Sequence, residues 1–315
     1  MKRRIITIVL TVFMLCSLCL AGCGGSTTLK MATGGTTGTY YAFSGTVSQV
    51  LQEKVSNLKF NVQSTGASKA NIYLVSDGEA DIGIVQNDVM YYAYKGTDLF
   101  DGEAVKGFSA MAGCYAEVCQ IVCNSSITSI DQLKGKRVSV GDVGSGCEFN
   151  ARQILEAYGM TFDDIVVNNL GFNDSATALK DDKIDAFFCV AGAPTTAVVE
   201  LATSNSINVL TVDDEHTDTL INKYPFYTKY DVPAGSYKGV DKVQTVAVVA
   251  TYIVSDKLSE DLVYNMTKAL FENKDQIAAA HPKGAELDPE YSVSGISIPM
   301  HPGAEKYYKE IGIIK

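Results

Sequence analysis

Asp77-Gly-Glu-Ala-Asp-Ile-Gly-Ile-Val-Gln86 and Asp181-Asp-Lys-Ile-Asp-Ala-Phe-Phe-Cys-Val190 are the two stretches on which the reading of the fold turns. Each is a D-x-x-x-D turn that runs straight into an apolar strand, and the second lies a domain's length after the first. What precedes each is also alike. Before the first come a short strand (Leu29 to Thr33), a loop (Gly34-Gly-Thr-Thr-Gly38) and a helix face at Phe43, Val47, Val50 and Leu51. A strand from Phe60 to Ser64 follows, then a second helical spacing at Ala67, Asn71, Leu74 and Val75. Before the second come a strand from Arg137 to Val140, a loop (Gly141-Asp-Val-Gly-Ser-Gly146) and a helix begun by Phe149, Ile154 and Leu155. Ala176, Leu179 and Lys180 close a later helix. Period-3.6 and strand-like runs in this order are β-α-β-α-β, twice, which predicts two lobes, each a mainly parallel sheet covered by helices.

Two long β-branched runs, Phe108 to Asn124 and Val243 to Ser255, lie between these units and after them, and they read as crossovers joining the lobes. A long helix is expected from Leu258 to Lys274. A tail of low periodicity follows, with Pro282, Pro289, Pro299 and Pro302, and it is expected to return to lobe one. Lobe one is then residues 29–113 plus about 250–315, and lobe two about 114–249. Two lobes, two crossovers and one cleft describe a binder that closes on a hinge.

Composition agrees with a folded binder. The chain has 315 residues, 46% hydrophobic and 20% charged, with a net charge of −10. Three of the basic residues, Lys2, Arg3 and Arg4, crowd at the start, so the body is more acidic still. Nucleic-acid binding needs clustered Lys/Arg against phosphates and is not expected. Histidine chemistry is thinly supplied, by His216, His281 and His301 alone, and neither G-x-S-x-G nor H-E-x-x-H occurs, so the chain is not expected to be an enzyme. The paired Asp77/Asp81 and Asp181/Asp185 read as turn and cap residues. No spacing supports a metal site or a cofactor.

The N-terminus reads as an address. A basic start, an apolar run from Ile5 to Leu20 and then Leu20-Ala-Gly-Cys23 form a secretory signal, residues 1–22, whose tetrad resembles the bacterial lipobox. Cys23 is the expected lipidation site and residues 23–28 a short tether, which places the body on the extracytoplasmic face of the bacterial cell membrane. The remaining cysteines, Cys114, Cys119, Cys123, Cys147 and Cys189, are odd in number. Cys119 and Cys123 in one extended strand would be about 13 Å apart, beyond the roughly 7 Å that a disulfide spans. All five are expected to be buried small hydrophobes.

The ligand is expected where both glycine loops meet. Glycines let backbone approach a ligand, and the N–H groups of a helix start favour an anion. Gly35, Thr36, Thr37, Gly38 and Tyr40 are the candidates from the first loop, and Gly144, Ser145 and Gly146 from the second. Ser68 and Asn71 open the second helix of lobe one. Gln86 and Gly192 lie just past the strands that follow the two D-x-x-x-D turns, and ligands of open α/β sheets bind at that edge. Arg137 and Arg152 are placed away from it, so hydroxyls, amides and backbone N–H groups are expected to hold the anion.

Ala32-Thr-Gly-Gly-Thr-Thr-Gly-Thr-Tyr-Tyr41, Ser64-Thr-Gly-Ala-Ser-Lys-Ala-Asn71, Gly78-Glu-Ala-Asp-Ile-Gly-Ile-Val-Gln86, Ser129-Ile-Asp-Gln-Leu-Lys-Gly-Lys-Arg-Val-Ser-Val-Gly141 and His301-Pro-Gly-Ala304 together resemble the TAXI family of solute receptors of TRAP transporters. The resemblance implies an α/β type II periplasmic binding protein fold. It also implies a small organic anion as ligand, glutamate-like or a dicarboxylate, delivered to a TRAP membrane permease. The alternative is the same fold serving an ABC importer or a signalling partner, since the Leu-Lys-Gly-Lys-Arg stretch is shared with receptors of ABC importers.

Overall fold

The computed structural model describes residues 26–315. The signal segment and Cys23 lie outside the described residues.

In lobe one, β1 (Thr27–Ala32), α1 (Thr39–Lys54), β2 (Leu58–Gln63), α2 (Ser68–Asp77) and β3 (Ile82–Gln86) follow the expected order, and α3 (Asn87–Lys95) continues from β3. β1 pairs in parallel with β2 and with β3. The strand starts earlier than expected: Thr27 and Thr28 pair with Leu58 and Lys59, so these two tether residues belong to the sheet. On α1, Phe43, Val47, Val50 and Leu51 are all buried, as their i, i+4, i+7, i+8 spacing requires.

Lobe two repeats the plan. β5 (Arg137–Ser139), α4 (Gly146–Ala157), β6 (Val166–Asn168), α5 (Phe172–Lys180) and β7 (Ala186–Ala191) give β5 parallel to both β6 and β7. The D-x-x-x-D turns do the same work in both lobes. Asp81 accepts a hydrogen bond from the Lys30 backbone N–H of β1 at 2.8 Å, and Asp185 accepts one from the Arg137 backbone N–H of β5 at 2.8 Å. Each carboxylate therefore ties the start of its strand to the first strand of its own lobe.

β4 (Phe108–Asn124) and β10 (Val243–Ser255) are the crossovers. They run antiparallel to each other and fuse both lobes into one sheet of order β2-β1-β3-β10-β4-β7-β5-β6. β8 (Ile207–Val209) pairs with β4 and β9 (Thr228–Val232) with β10, while α6 (Thr196–Ser204) and α7 (Asp214–Lys223) cover lobe two.

The tail corrects the expectation of irregular chain. After α8 (Glu260–Glu272) come α9 (Lys274–Ala280), α10 (Pro289–Ser294) and α11 (Pro302–Glu310). Pro289 and Pro302 sit in the first helical turn, where a missing N–H costs nothing, so they start helices instead of breaking them. His301 precedes Pro302 in extended backbone and caps α11 by accepting from the Gly303 N–H at 3.2 Å. In the tail, Ile277, Leu287, Ala304, Tyr307 and Tyr308 share a core with Phe43, Tyr115 and Tyr252. The five described cysteines are buried and free. Among the described residues no helix is long and apolar enough to cross a membrane.

Candidate functional site

The two loops do meet. A cavity of about 60 Å³ between the lobes is lined by Gly34, Gly35, Thr37, Gly38, Thr39 and Tyr40 of the first loop and α1, and by Asp142, Ser145, Gly146 and Cys147 of the second loop and α4. Ala67, Ser68, Gln86, Glu117, Gly171, Phe172, Val190 and Ala191 complete the wall. One water needs roughly 10–15 Å³ on this measure, so the space suits a small organic molecule and no polymer.

The helix starts differ. α1 begins at Gly38, whose lack of a side chain leaves the first-turn N–H groups without a cap. α4 begins at Ser145, whose hydroxyl accepts from the Glu148 N–H at 3.2 Å. Of these two starts, that of α1 has backbone donors to offer an anion, as do the uncapped starts of α2 at Ala67 and of α5 at Gly171, which line the same cavity.

Acceptors line the same cavity. Gln86 is 2% exposed, and its Oε1 is buried without a hydrogen-bond partner. It lies hard against Gly146 of the other lobe, where a Cβ would fall 1.8 Å from that oxygen. Gln86 is held by its backbone N–H, which donates to Ser68 Oγ at 3.1 Å. Glu117, 2% exposed, accepts from the Tyr40 hydroxyl at 2.5 Å. Burial pushes its carboxyl well above the usual carboxylate range, against the pull of the Tyr40 hydrogen bond. Lys283, buried nearby, pairs with Glu286 at 2.6 Å. Desolvation also raises Asp142, helped by Asp174.

Eight of the expected site residues line the cavity: Gly35, Thr37, Gly38, Tyr40, Ser68, Gln86, Ser145 and Gly146. Four do not. Thr36 is exposed at the tip of its turn. Asn71 is buried and fully used within lobe one: its amide donates to Thr33 O at 2.6 Å and Ile84 O at 2.7 Å and accepts from Thr65 Oγ1. Gly144 serves the turn, at φ +75°, and its N–H donates to Glu148 at 2.6 Å. Gly192 bridges the lobes by accepting from Thr39 Oγ1 at 3.1 Å. Neither arginine among the described residues lines the cavity. Arg137 pairs with Asp185 at 2.8 Å, and Arg152 lies over the Phe162 ring with Glu148 within 3.7 Å.

Sequence reasoning missed Glu117, Asp142 and Phe172. Glu117 carried a signal: it is the lone carboxylate inside the apolar run of β4, and charged residues are seldom fully buried without a partner or a task. Phe172 starts α5 as Ser68 starts α2, so the internal repeat pointed to it.

Solved structures share this architecture. A structure reported for glutathione import via GshT and the cystine ABC importer TcyBC of Streptococcus mutans is 12% identical, with a TM-score of 0.54 over 89% of this chain and 99% of that one. A protein of Bordetella bronchiseptica RB50 is 17% identical, with a TM-score of 0.53 over 91% and 89%. The GluR0 ligand-binding core of Nostoc punctiforme, in complex with L-glutamate, is 14% identical, with a TM-score of 0.51 over 82% and 100%. At such identities the shared feature is the fold, the two-lobed type II periplasmic binding protein architecture. The sequence itself matches the profile described as the NMT1-like family from residue 31 to residue 312, nearly all of the described chain, and the protein belongs to that family.

Proposed function

We propose that this protein is an extracytoplasmic solute receptor that captures a small organic acid between its lobes and hands it to a membrane importer. The observation that carries the reading is the cavity itself. The uncapped start of α1 in lobe one and Gly146 of lobe two line one cavity, and Gln86, its Oε1 unpartnered, lies there against Gly146. N–H groups without acceptors favour a carboxylate. An unfilled amide oxygen and the Glu117 carboxyl favour a donor. A ligand with both, an acid that also carries an amino group, answers both needs, so the glutamate-like option fits better than a plain dicarboxylate. Ligand contacts on both lobes would shift the protein toward its closed form by their differential affinity. Anchoring through lipid on Cys23 is part of the same proposal.

Two partners are in view. The relative named for a cystine ABC importer supports an ATP-driven importer. The glycine-threonine-tyrosine opening at 32–41 and the close at His301–Ala304 support a TRAP permease driven by an ion gradient. The comparisons favour the first.

Native mass spectrometry of the full chain in mild detergent, as isolated, should release a small acid on denaturation. Calorimetry should show L-glutamate binding at least tenfold tighter than glutarate, a charged-group hydrogen bond being worth about 1.5–3 kcal/mol. A protein that arrives empty and binds neither acid would end the receptor reading. Receptor-dependent uptake into vesicles that needs ATP would identify the first partner, and uptake that collapses with an ionophore the second.

A further inference from the structure

α4 of lobe two begins at the ligand cavity but does not stay in its own lobe. Phe149, 1% exposed, is buried in a core otherwise built almost wholly from lobe one, stacked on Tyr92 at 6.1 Å and 6° and packed against Phe100 at 6.1 Å. One residue on, Asn150 donates from its amide to Asp88 Oδ2 at 2.9 Å and to the Tyr227 hydroxyl at 2.6 Å. Gln153, on the same face, donates to the Tyr92 hydroxyl at 3.2 Å and to Asp98 at 3.3 Å, and accepts from Tyr227 at 2.7 Å. Asp88, Tyr92 and Asp98 belong to lobe one. Asn150, Gln153 and Tyr227 belong to lobe two. Together they form a polar bridge across the lobes, buried except at Asp98 on its rim.

The bridge is short of donors at Asp88, and Lys69 sits beside it, its ammonium 5.0 Å from the centroid of the Phe100 ring that packs on Phe149. Asn150 Oδ1 is buried without a partner. Asp88, 1% exposed, receives the Asn150 amide, the Val89 N–H and its own backbone N–H. The titratable groups that act on it include Asp98 and Tyr92 from lobe one and Glu117, Cys119 and Tyr227 from the other elements, all of them acids.

We infer that Asp88 and the face of α4 bearing Phe149, Asn150 and Gln153 form an inter-lobe latch that tightens when Asp88 takes up a proton. Opening the lobes would strip α4 from Asp88 and return its carboxyl to water. In the closed form burial raises that carboxyl to about 6, against an ordinary value of about 3.9. Closure therefore gains below about pH 6 and loses that contribution as pH climbs through it. Between pH 7 and pH 5 the closed-to-open ratio should rise about tenfold. The latch needs no ligand, so it stands apart from the receptor reading.

The test is the distance between the lobes, measured by double electron–electron resonance on the full chain in detergent, without added ligand. Tyr73→Cys in lobe one and Val166→Cys in lobe two place spin labels at exposed positions, and the five described native cysteines are buried. The expected result is a closed-distance population that grows from pH 7 to pH 5. Asp88→Asn, neutral at all pH and nearly the same shape, should stay closed across that range without a pH response. A pH-independent distance in the unsubstituted chain would overturn the latch. So would a response that survives in Asp88→Asn, or one that Glu117→Gln abolishes in its place.

Discussion

α1 and α4 start from the same kind of sequence, a glycine loop after a short strand, and bring a phenylalanine to the same depth. The outcomes differ. Phe43 of α1 packs within its own lobe, edge-on to Tyr115 at 4.9 Å and beside Tyr252. Phe149 of α4 packs into the other lobe. The first loop carries an uncapped helix start and an open glycine. The second carries a capped start and a glycine pressed against Gln86. The duplicated plan thus differs at these two loops: that of lobe one opens an uncapped helix held in its own lobe, and that of lobe two a capped helix that crosses into lobe one.

The two phenylalanines give the sharpest way to break this comparison. Phe43→Ala should cost about 3–5 kcal/mol of unfolding free energy, as a large core truncation does, measured by urea denaturation. Phe149→Ala should act mainly on closure. Losing a buried phenylalanine there removes about 1.5–3 kcal/mol, roughly a ten- to hundredfold weaker ligand affinity, with a smaller change in urea midpoint. Equal losses of stability in the two variants would show that α4 is an ordinary core helix.

The glycines come next. Gly146→Ala puts a Cβ 1.8 Å from Gln86 Oε1, while a Cβ at Gly35 meets nothing within 4 Å. Overpacking costs about 1–3 kcal/mol, so Gly146→Ala should weaken binding by roughly tenfold or more, and Gly35→Ala should leave it within twofold in a calorimetric titration. Equal effects would mean that the lobes do not close through Gly146.

The smallest effect concerns the paired turns. Asp185 carries a guanidinium partner that Asp81 does not: it accepts from Arg137 side-chain nitrogens at 2.8 and 3.1 Å. These bonds, with Arg137's charge, hold its carboxyl below the ordinary range. A lowered carboxyl stabilises the fold above its unfolded value of about 3.9 and loses that contribution as pH falls further. Asp185→Asn should cost about 0.2–1 kcal/mol at pH 7, a partly exposed pair being screened, and the cost should shrink below pH 4 in thermal melts. A cost that stays constant with pH would assign the turn's value to its backbone hydrogen bond alone.

Much of this was legible in the chain because it is local. Strand and helix periods, the two D-x-x-x-D turns, the crossovers β4 and β10 and the glycine loops all declare themselves within a few residues. Asn71 shows the limit of that legibility: its place on α2 was readable, but whether its amide faced the cleft or the strand ends was not, because its partners Thr33 and Ile84 come from two other strands. Prolines in the tail were ambiguous for a related reason, since a proline that starts a helix and one that ends a segment look alike in a single sequence.

The sequence by itself determined two lobes of one plan, the strands that join them and the loops from which a site would be built. Only the tertiary structure decided which side of each loop faces the cavity, that Glu117 and Tyr40, far apart in the chain, share a buried hydrogen bond there, and that α4 crosses into lobe one. Those facts depend on contacts between residues with no fixed spacing. Backbone sterics and side-chain periodicity act along the chain, whereas burial and hydrogen-bond satisfaction are settled only once distant segments have been brought together.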